Sequence, residues 1–349
     1  MQLPSGAYIL KPINEIKMNS ELKQLVEQAE KTYKKNFSPI CWFERAVFLS
    51  WYCSLGDCTF CYMSTQKDKI SDPKKARRRL SSVLAEIILS KEFGWEIEFL
   101  SAGYGSYTSE ELLDVIQKCY ELTAEKLWLN IGYLNDKEIN KFLPFIKGVS
   151  ASIETINWEI RKKVCPSKPI EPMLKMLELA DKYHLQKAIT IIIGLGETIE
   201  DIDNLFGFVE KYNLDRITFY SLNPHPGTPF KKGPETNYYV QWIAKTRIKF
   251  PKVEIIAGSW VNRIEEISFL LKAGANAFTK FPALKLFNSK YAQEIEKQVK
   301  DSGRELKGTL TKMPPTSIEK INLNSLDKRL QIETRLKLKQ YLKRMGLKE

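Results

Sequence analysis

A (β/α)8 barrel, an α/β fold, is what the sequence predicts, and three observations predict it. Eight short apolar runs succeed one another between residue 46 and about residue 280. Polar or glycine-containing loops and amphipathic stretches with helical spacing alternate with them. The chain is 349 residues long and 43% hydrophobic, enough for one large core that needs no disulfides.

The runs, in order, are AVFLSW, EIEFLSA, KLWLNI, GVSASIE, KAITIIIG, RITFYSLN, VEIIAG and NAFTKF. Helical patterns between them include SSVLAEIILSKEF, SEELLDVIQKCYEL, PMLKMLELADKY, IEDIDNLFGFVEKY and RIEEISFLLKAG, the last closed by a glycine where a helix C-terminus favours one. The expected organisation is an N-terminal extension over 1–45, the barrel over 46–282, and a helical C-terminal extension over 283–349 packed on the barrel. In such a barrel the chemistry sits where strands end and loops begin.

Composition narrows the function classes. No apolar run approaches the roughly 20 residues of a membrane helix, and no charged-then-apolar leader precedes the first helix, so a cytoplasmic protein without a membrane partner is expected. The net charge is +12, but the basic residues are dispersed among 42 acids. The densest patches, KKARRR at 74–79 and the segment 328–348, read as helices with a solvated basic face. Nucleic acid is disfavoured because no aromatic-interleaved RNA motif accompanies the charge; an acidic protein partner suits it better.

Six cysteines are present, and three of them crowd into WYCSLGDCTFCYMST, directly after the first strand. Cys53, Cys58 and Cys61 on a tight loop with Gly56 match three ligands of a four-iron cluster whose fourth iron stays free. A structural zinc site completed by Cys41 is the alternative, and would make the protein a non-enzymatic binding barrel.

With Tyr62 following the third cysteine, this loop resembles the radical S-adenosylmethionine (SAM) enzymes, although its CxxxxCxxC spacing is one residue longer than the usual one. The resemblance implies a 4Fe-4S cluster that binds SAM and cleaves it to a 5′-deoxyadenosyl radical, fed by a ferredoxin-like reductant. It extends along the strands in order. Ala102, Gly103 and Tyr104 in FLSAGYGS match the segment that binds the SAM amino group. Glu154, ending SASIE, matches an acid at the ribose or methionyl end, and Arg161 an arginine for the SAM carboxylate. In IIIGLGET, Ile192 and Gly194 match the adenine side, with Thr190 where the pattern begins with glycine and Glu197 expected to start or cap the next helix. Asn223 and Pro224 in SLNPHPGTPF match a segment that lies along adenine.

The branch resembled is that of biotin synthase, lipoyl synthase and the hydrogenase maturases. Within it the chain looks most like one subunit of the archaeal-type two-protein lipoyl synthases, which implies sulfur insertion into a protein-bound octanoyl chain. A second radical SAM subunit and an acidic lipoyl carrier protein would then be partners. That reading makes Cys41 and Cys165 candidate ligands of a second iron-sulfur cluster. The alternative is a maturase acting on a small amino-acid-derived substrate, for which only the SAM-binding cluster is needed.

Cys119 falls on the apolar face of its helix and reads as packing. His184 reads as structural and His225 as a mouth residue. Tyr104, Tyr107, Tyr133 and Trp260 are candidate cavity walls, and Arg263 and Lys280 candidate grips for a carboxylate.

Overall fold

The computed structural model describes residues 17–314 and 321–347. Helix α1 (Ser20–Asn36) comes first, capped by the Asn19 side chain, which accepts from the Leu22 N–H. Strands and helices then alternate: β1 (Ile40–Phe48), α2 (Leu80–Glu92), β2 (Glu96–Ser101), α3 (Ser109–Thr123), β3 (Leu127–Asn130), α4 (Asp136–Phe142) and β4 (Ile146–Glu154). After β4 come α5 (Trp158–Val164), α6 (Glu171–Lys182), β5 (Gln186–Ile193), α7 (Ile202–Tyr212), β6 (Arg216–Ser221), α8 (Thr236–Lys249), β7 (Glu254–Gly258), α9 (Ile267–Lys272) and β8 (Ala277–Thr279). The chain continues through α10 (Ala283–Leu286), α11 (Lys290–Asp301), β9 (Glu305–Lys307) and α12 (Lys328–Arg344).

Strands β1 to β8 pair in parallel and in sequence order, and β1 pairs with both β2 and β8, so the sheet closes into a barrel. All eight expected strands form. Beyond them, β9 pairs with the start of β1, matching Cys41 to Leu306. The first strand therefore reaches back to Ile40 rather than beginning at Ala46, since Glu44 and Arg45 break its apolar pattern while still lying in the sheet.

Most helices cover the barrel with one buried stripe, while α2 is buried on all sides from Val83 to Ser90. In α3 the buried residues Leu112, Val115, Ile116 and Cys119 recur at helical spacing, behind a capping box of Thr108 and Glu111. The stripe accounts for Cys119 as core. Inside the barrel, the N-terminal end is plugged by polar groups: Arg216 donates to Glu44 at 3.0 Å, pairs with Glu254, and lies over the Trp128 ring. Burial pushes the Glu44 carboxyl up to about 7, against the pull of Arg216.

The KKARRR expectation is corrected. Only Pro73–Ala76 forms a short 3-10 turn, and of the arginines after it Arg77 and Arg78 are extended and paired while Arg79 is exposed. Arg77 forks onto Glu111 with two bonds of 2.8 Å, and Arg78 bonds the buried Glu86. The second basic segment does form a helix, α12, whose Leu338, Tyr341 and Leu342 are buried; Lys348 lies outside the described residues.

Candidate active site

The loop from Leu49 to Cys61 leaves β1 at the C-terminal mouth and is tied to its neighbours by backbone bonds. Leu49 N–H donates to Ser101 O at 2.8 Å, Ser54 N–H to Tyr104 O at 2.9 Å, and Thr59 N–H to Val164 O at 2.9 Å. These bonds set the cysteines against the ends of β2 and α5. Gly56 turns the loop at φ +50, where a Cβ would strike the Lys67 side chain. Gly103 has another reason to be glycine: a Cβ there would lie 2.2 Å from Tyr52 O and 2.6 Å from Cys53 Cβ. The SAGYG segment and the cysteine loop thus pack backbone to backbone.

Cys53, Cys58 and Cys61 are all partly buried. A hydrogen bond with Cys165 and then burial push the Cys58 thiol far up, and burial pushes Cys61 up to about 11. Both are therefore protonated at neutral pH until a metal displaces the protons. Among the described residues no three His, Cys, Asp or Glu side chains converge tightly enough for a single metal ion. Cys41, the expected fourth zinc ligand, lies at the far end of the barrel from this loop.

That position also corrects the second-cluster expectation. Cys41 is fully buried near the start of β1, and burial pushes its thiol up to about 12. Cys165 ends α5 and sits against Cys58 with Ile160, Leu195 and Leu222 around it. The two candidate ligands are at opposite ends of the barrel and cannot share a cluster.

The matched residues of the later strands do gather at the mouth. Glu154 ends β4 at φ +72, after a register skip that passes over Ile153, and forms a buried ion pair with Lys168. Burial opposes the lysine's charge, but the adjacent carboxylate wins and holds it above the usual lysine range. Arg161 is buried, not a surface ion pair: its Nε donates to Ile153 O at 3.0 Å and its Nη1 to Lys168 O at 3.1 Å. Its Nη2, and the Tyr104 hydroxyl, are buried without a partner among the described residues. Both donors are available at the mouth. The donor set is compatible with a chelated amino acid: one free guanidinium nitrogen, a buried carboxylate, and three thiols for iron.

On the other side, Ile192 is partly buried near the end of β5, and Gly194 adopts φ +108 just after it, against Leu222 and Pro234. Glu197 does not cap a helix. Its carboxylate folds back to accept from Gly194 N–H at 2.6 Å and Leu195 N–H at 2.9 Å, fixing the GLGE turn. Asn223 and Pro224 follow β6, and His225 in the same segment packs its ring edge-on to Tyr62 at 5.7 Å and to Trp260 at 6.3 Å. Tyr62 and the adenine-side segment therefore meet directly.

Two expectations move to structural roles: Tyr107 donates to Leu49 O under Arg77, and Arg263 is held by Glu266 and Pro234 O. His184 is exposed at a helix end with φ +52, as a turn residue. Tyr133 is exposed but leans on Tyr104. Sequence reasoning missed Lys168; the signal was a lysine between Pro166 and Pro169 in a loop too constrained to be a solvated rim.

A parallel barrel with a three-cysteine loop beneath an open arginine defines a class of enzymes that handle SAM at an iron-sulfur cluster. The chain belongs to the radical SAM superfamily, in the biotin synthase branch: residues 49–209 match the Radical SAM superfamily model and residues 218–305 the Biotin and Thiamin Synthesis associated domain. Its cofactors are accordingly a 4Fe-4S cluster and SAM. An uncharacterised protein of Methanocaldococcus jannaschii is 45% identical over 83% of this chain and 82% of its own. The biotin synthase of Clostridium tetani is 26% identical over 69% of this chain and 75% of its own. Among solved structures, methylornithine synthase shares the fold with a TM-score of 0.65, 19% identity, and coverage of 95% of this chain and 90% of that one. The FeFe-hydrogenase maturase HydG from Carboxydothermus hydrogenoformans does so at 0.68, 16% identity, 94% and 84%. No helix of the described residues is long and apolar enough to cross a membrane.

Proposed function

We propose that this chain is a single-cluster radical SAM enzyme that removes a hydrogen atom from a small, amino-acid-derived substrate inside the barrel. The placement of the six cysteines carries the reading. Sulfur insertion into an octanoyl chain, the activity expected from the lipoyl synthase resemblance, calls for a second, sulfur-donating cluster. With three cysteines on the mouth loop, Cys165 packed onto Cys58, Cys41 at the opposite end and Cys119 behind the wall, this chain offers no second ligand set. The barrel shared with methylornithine synthase, whose name states an amino-acid product, fits the small-substrate reading.

When bound, the cluster and SAM supply reductive cleavage and a hydrogen-abstracting radical. The chain contributes binding, orientation and exclusion of water. Cys53, Cys58 and Cys61 would hold three irons. Arg161 would offer its open Nη2 to the SAM carboxylate, with Ala102, Gly103 and Tyr104 at the amino end. Glu154, balanced by Lys168, would serve the ribose or methionyl end. Ile192, Gly194, Asn223 and Pro224 would flank adenine, with Tyr62 on that side. A ferredoxin-like reductant in the cytoplasm would deliver the electron.

Sulfur transfer is the second reading, supported by the likeness to biotin synthases; its second cluster would have to come from a partner chain. Anaerobic reconstitution separates the two. The proposal expects about four irons per chain, 5′-deoxyadenosine formed from SAM with dithionite, and no acceleration by an octanoyl-lysyl peptide. About eight irons, or acceleration by that peptide, would sink it.

A further inference from the structure

The inner wall of the barrel carries a cation that the cofactor assignments leave unused. Where β1 and β2 pair, the register steps from Arg45 opposite Ile97 to Ala46 opposite Phe99, leaving Glu98 without an opposite residue. Glu98 is fully buried, and both its oxygens are engaged: one accepts from the Tyr220 hydroxyl of β6, the other from the Thr279 hydroxyl of β8 at 2.6 Å. The next residue along β8 is Lys280. It holds φ +77, a left-handed conformation uncommon outside glycine. Such conformations persist where their surroundings over-determine them, and they cluster at ligand clamps.

This backbone sets the Lys280 ammonium 4.1 Å from the centroid of the Tyr220 ring and 5.6 Å from that of Phe48, whose other neighbour is the stacked Trp51. Burial holds the ammonium below the usual lysine range, with Glu98 only partly offsetting it. Two other cations at strand ends have carboxylate partners, Lys168 with Glu154 and Arg263 with Glu266, while Arg161 is held by backbone carbonyls. Lys280 forms no ion pair among the described residues. An ammonium enclosed by aromatic rings without a counter-ion is costly, and the cost is relieved when a ligand supplies the anion.

We propose that Lys280 binds the carboxylate of the substrate, anchoring it against Tyr220 and Phe48 on the wall opposite β4 and Arg161. The proposal rests on the small-substrate reading above. A single ammonium matches a monoanion; a phosphate ester calls for several donors or cations at once. Glu98 positions the site through Tyr220 and Thr279 rather than by touching substrate.

The test uses the full chain with its cluster reconstituted anaerobically, SAM and dithionite, and reads 5′-deoxyadenosine formation. The probes are the proteinogenic L-amino acids, simple dicarboxylic acids, and the methyl ester of each. At least one acid is expected to accelerate the wild type while its ester does not. Lys280→Gln should raise the KM for that acid by at least about 10-fold, with Lys280→Arg recovering part of the loss. Equal response to acid and ester, an unchanged KM in Lys280→Gln, or lost affinity for labelled SAM in that variant would each overturn the assignment. So would a wild type that cleaves SAM but ignores every acid. A wild type that cleaves no SAM defeats the radical reading itself, which keeps the two failures distinct.

Discussion

Two ion networks, one on the seam of β1 with α2 and one at the end of β4, are built from the same chemistry to different degrees of completion. On the outer seam, Glu86 of α2 is buried between Arg45 at 2.5 Å and Arg78 at 2.7 Å; Arg78 also reaches Phe48 O, Ser82 and the Tyr341 hydroxyl of α12. Burial opposes the Glu86 charge, but the two arginines outweigh it and hold the carboxyl below its usual range. At the mouth, Glu154 and Lys168 pair, Arg161 is bound on two of its nitrogens, and its third, like the Tyr104 hydroxyl, has no partner among the described residues. A closed network fastens helices to the barrel. The open one, equally buried, keeps donors available for the SAM carboxylate that the proposed function assigns to it.

The comparison is broken most strongly at the seam. Glu86→Gln leaves two arginines facing a neutral amide and should destabilise the fold by about 3 kcal/mol in chemical denaturation. Its affinity for SAM should stay at the wild-type value. A loss under 1 kcal/mol, on the order of an exposed pair, would show that the seam is not a closed network.

Arg161→Lys tests the other side. It keeps the charge but removes the open Nη2 and the two backbone bonds that aim it, so SAM should bind about 10-fold more weakly, or about 1.4 kcal/mol, by equilibrium dialysis. Unchanged SAM affinity would mean that the open nitrogen serves something else.

A third test lies at the plug of the closed end, outside both networks. The Glu44 carboxyl is raised from about 4.5 to about 7, so the folded protein holds that proton more tightly than the unfolded chain. Its stabilising contribution is full below pH 4.5 and disappears as pH rises through 7. Relative to Glu44→Gln, the wild type should lose stability across that window, by about 1.36 kcal/mol for each pKa unit between the folded and unfolded carboxyl, read as Tm against pH. Parallel profiles for the two proteins would place the proton elsewhere.

Legibility in the sequence followed the range of the interaction. The strand ends were readable because each apolar run stops at its own loop, and Gly103 and Gly194 marked close backbone approach. Strand β9 was not readable: three residues, Glu305–Lys307, with no apolar pattern, exist as a strand only because β1 extends far enough to pair with them. The arginines of KKARRR looked like a solvated face because their partners, Glu86 and Glu111, lie on other elements. Lys168 went unnoticed because a lysine in a loop is ordinarily solvated, and its burial depends on Glu154 taking a left-handed turn.

What the sequence determined by itself was the barrel, the order of its strands, and the three thiols at its mouth, since periodicity and spacing are local properties. The tertiary structure alone decided which charges are closed and which are open: Arg263 has a carboxylate partner and Lys280 has none, though both stand near strand ends. It also parted Cys41 from Cys165. Counter-ions and ligand sets are settled by which distant segments the closed sheet brings together, and no local pattern records that.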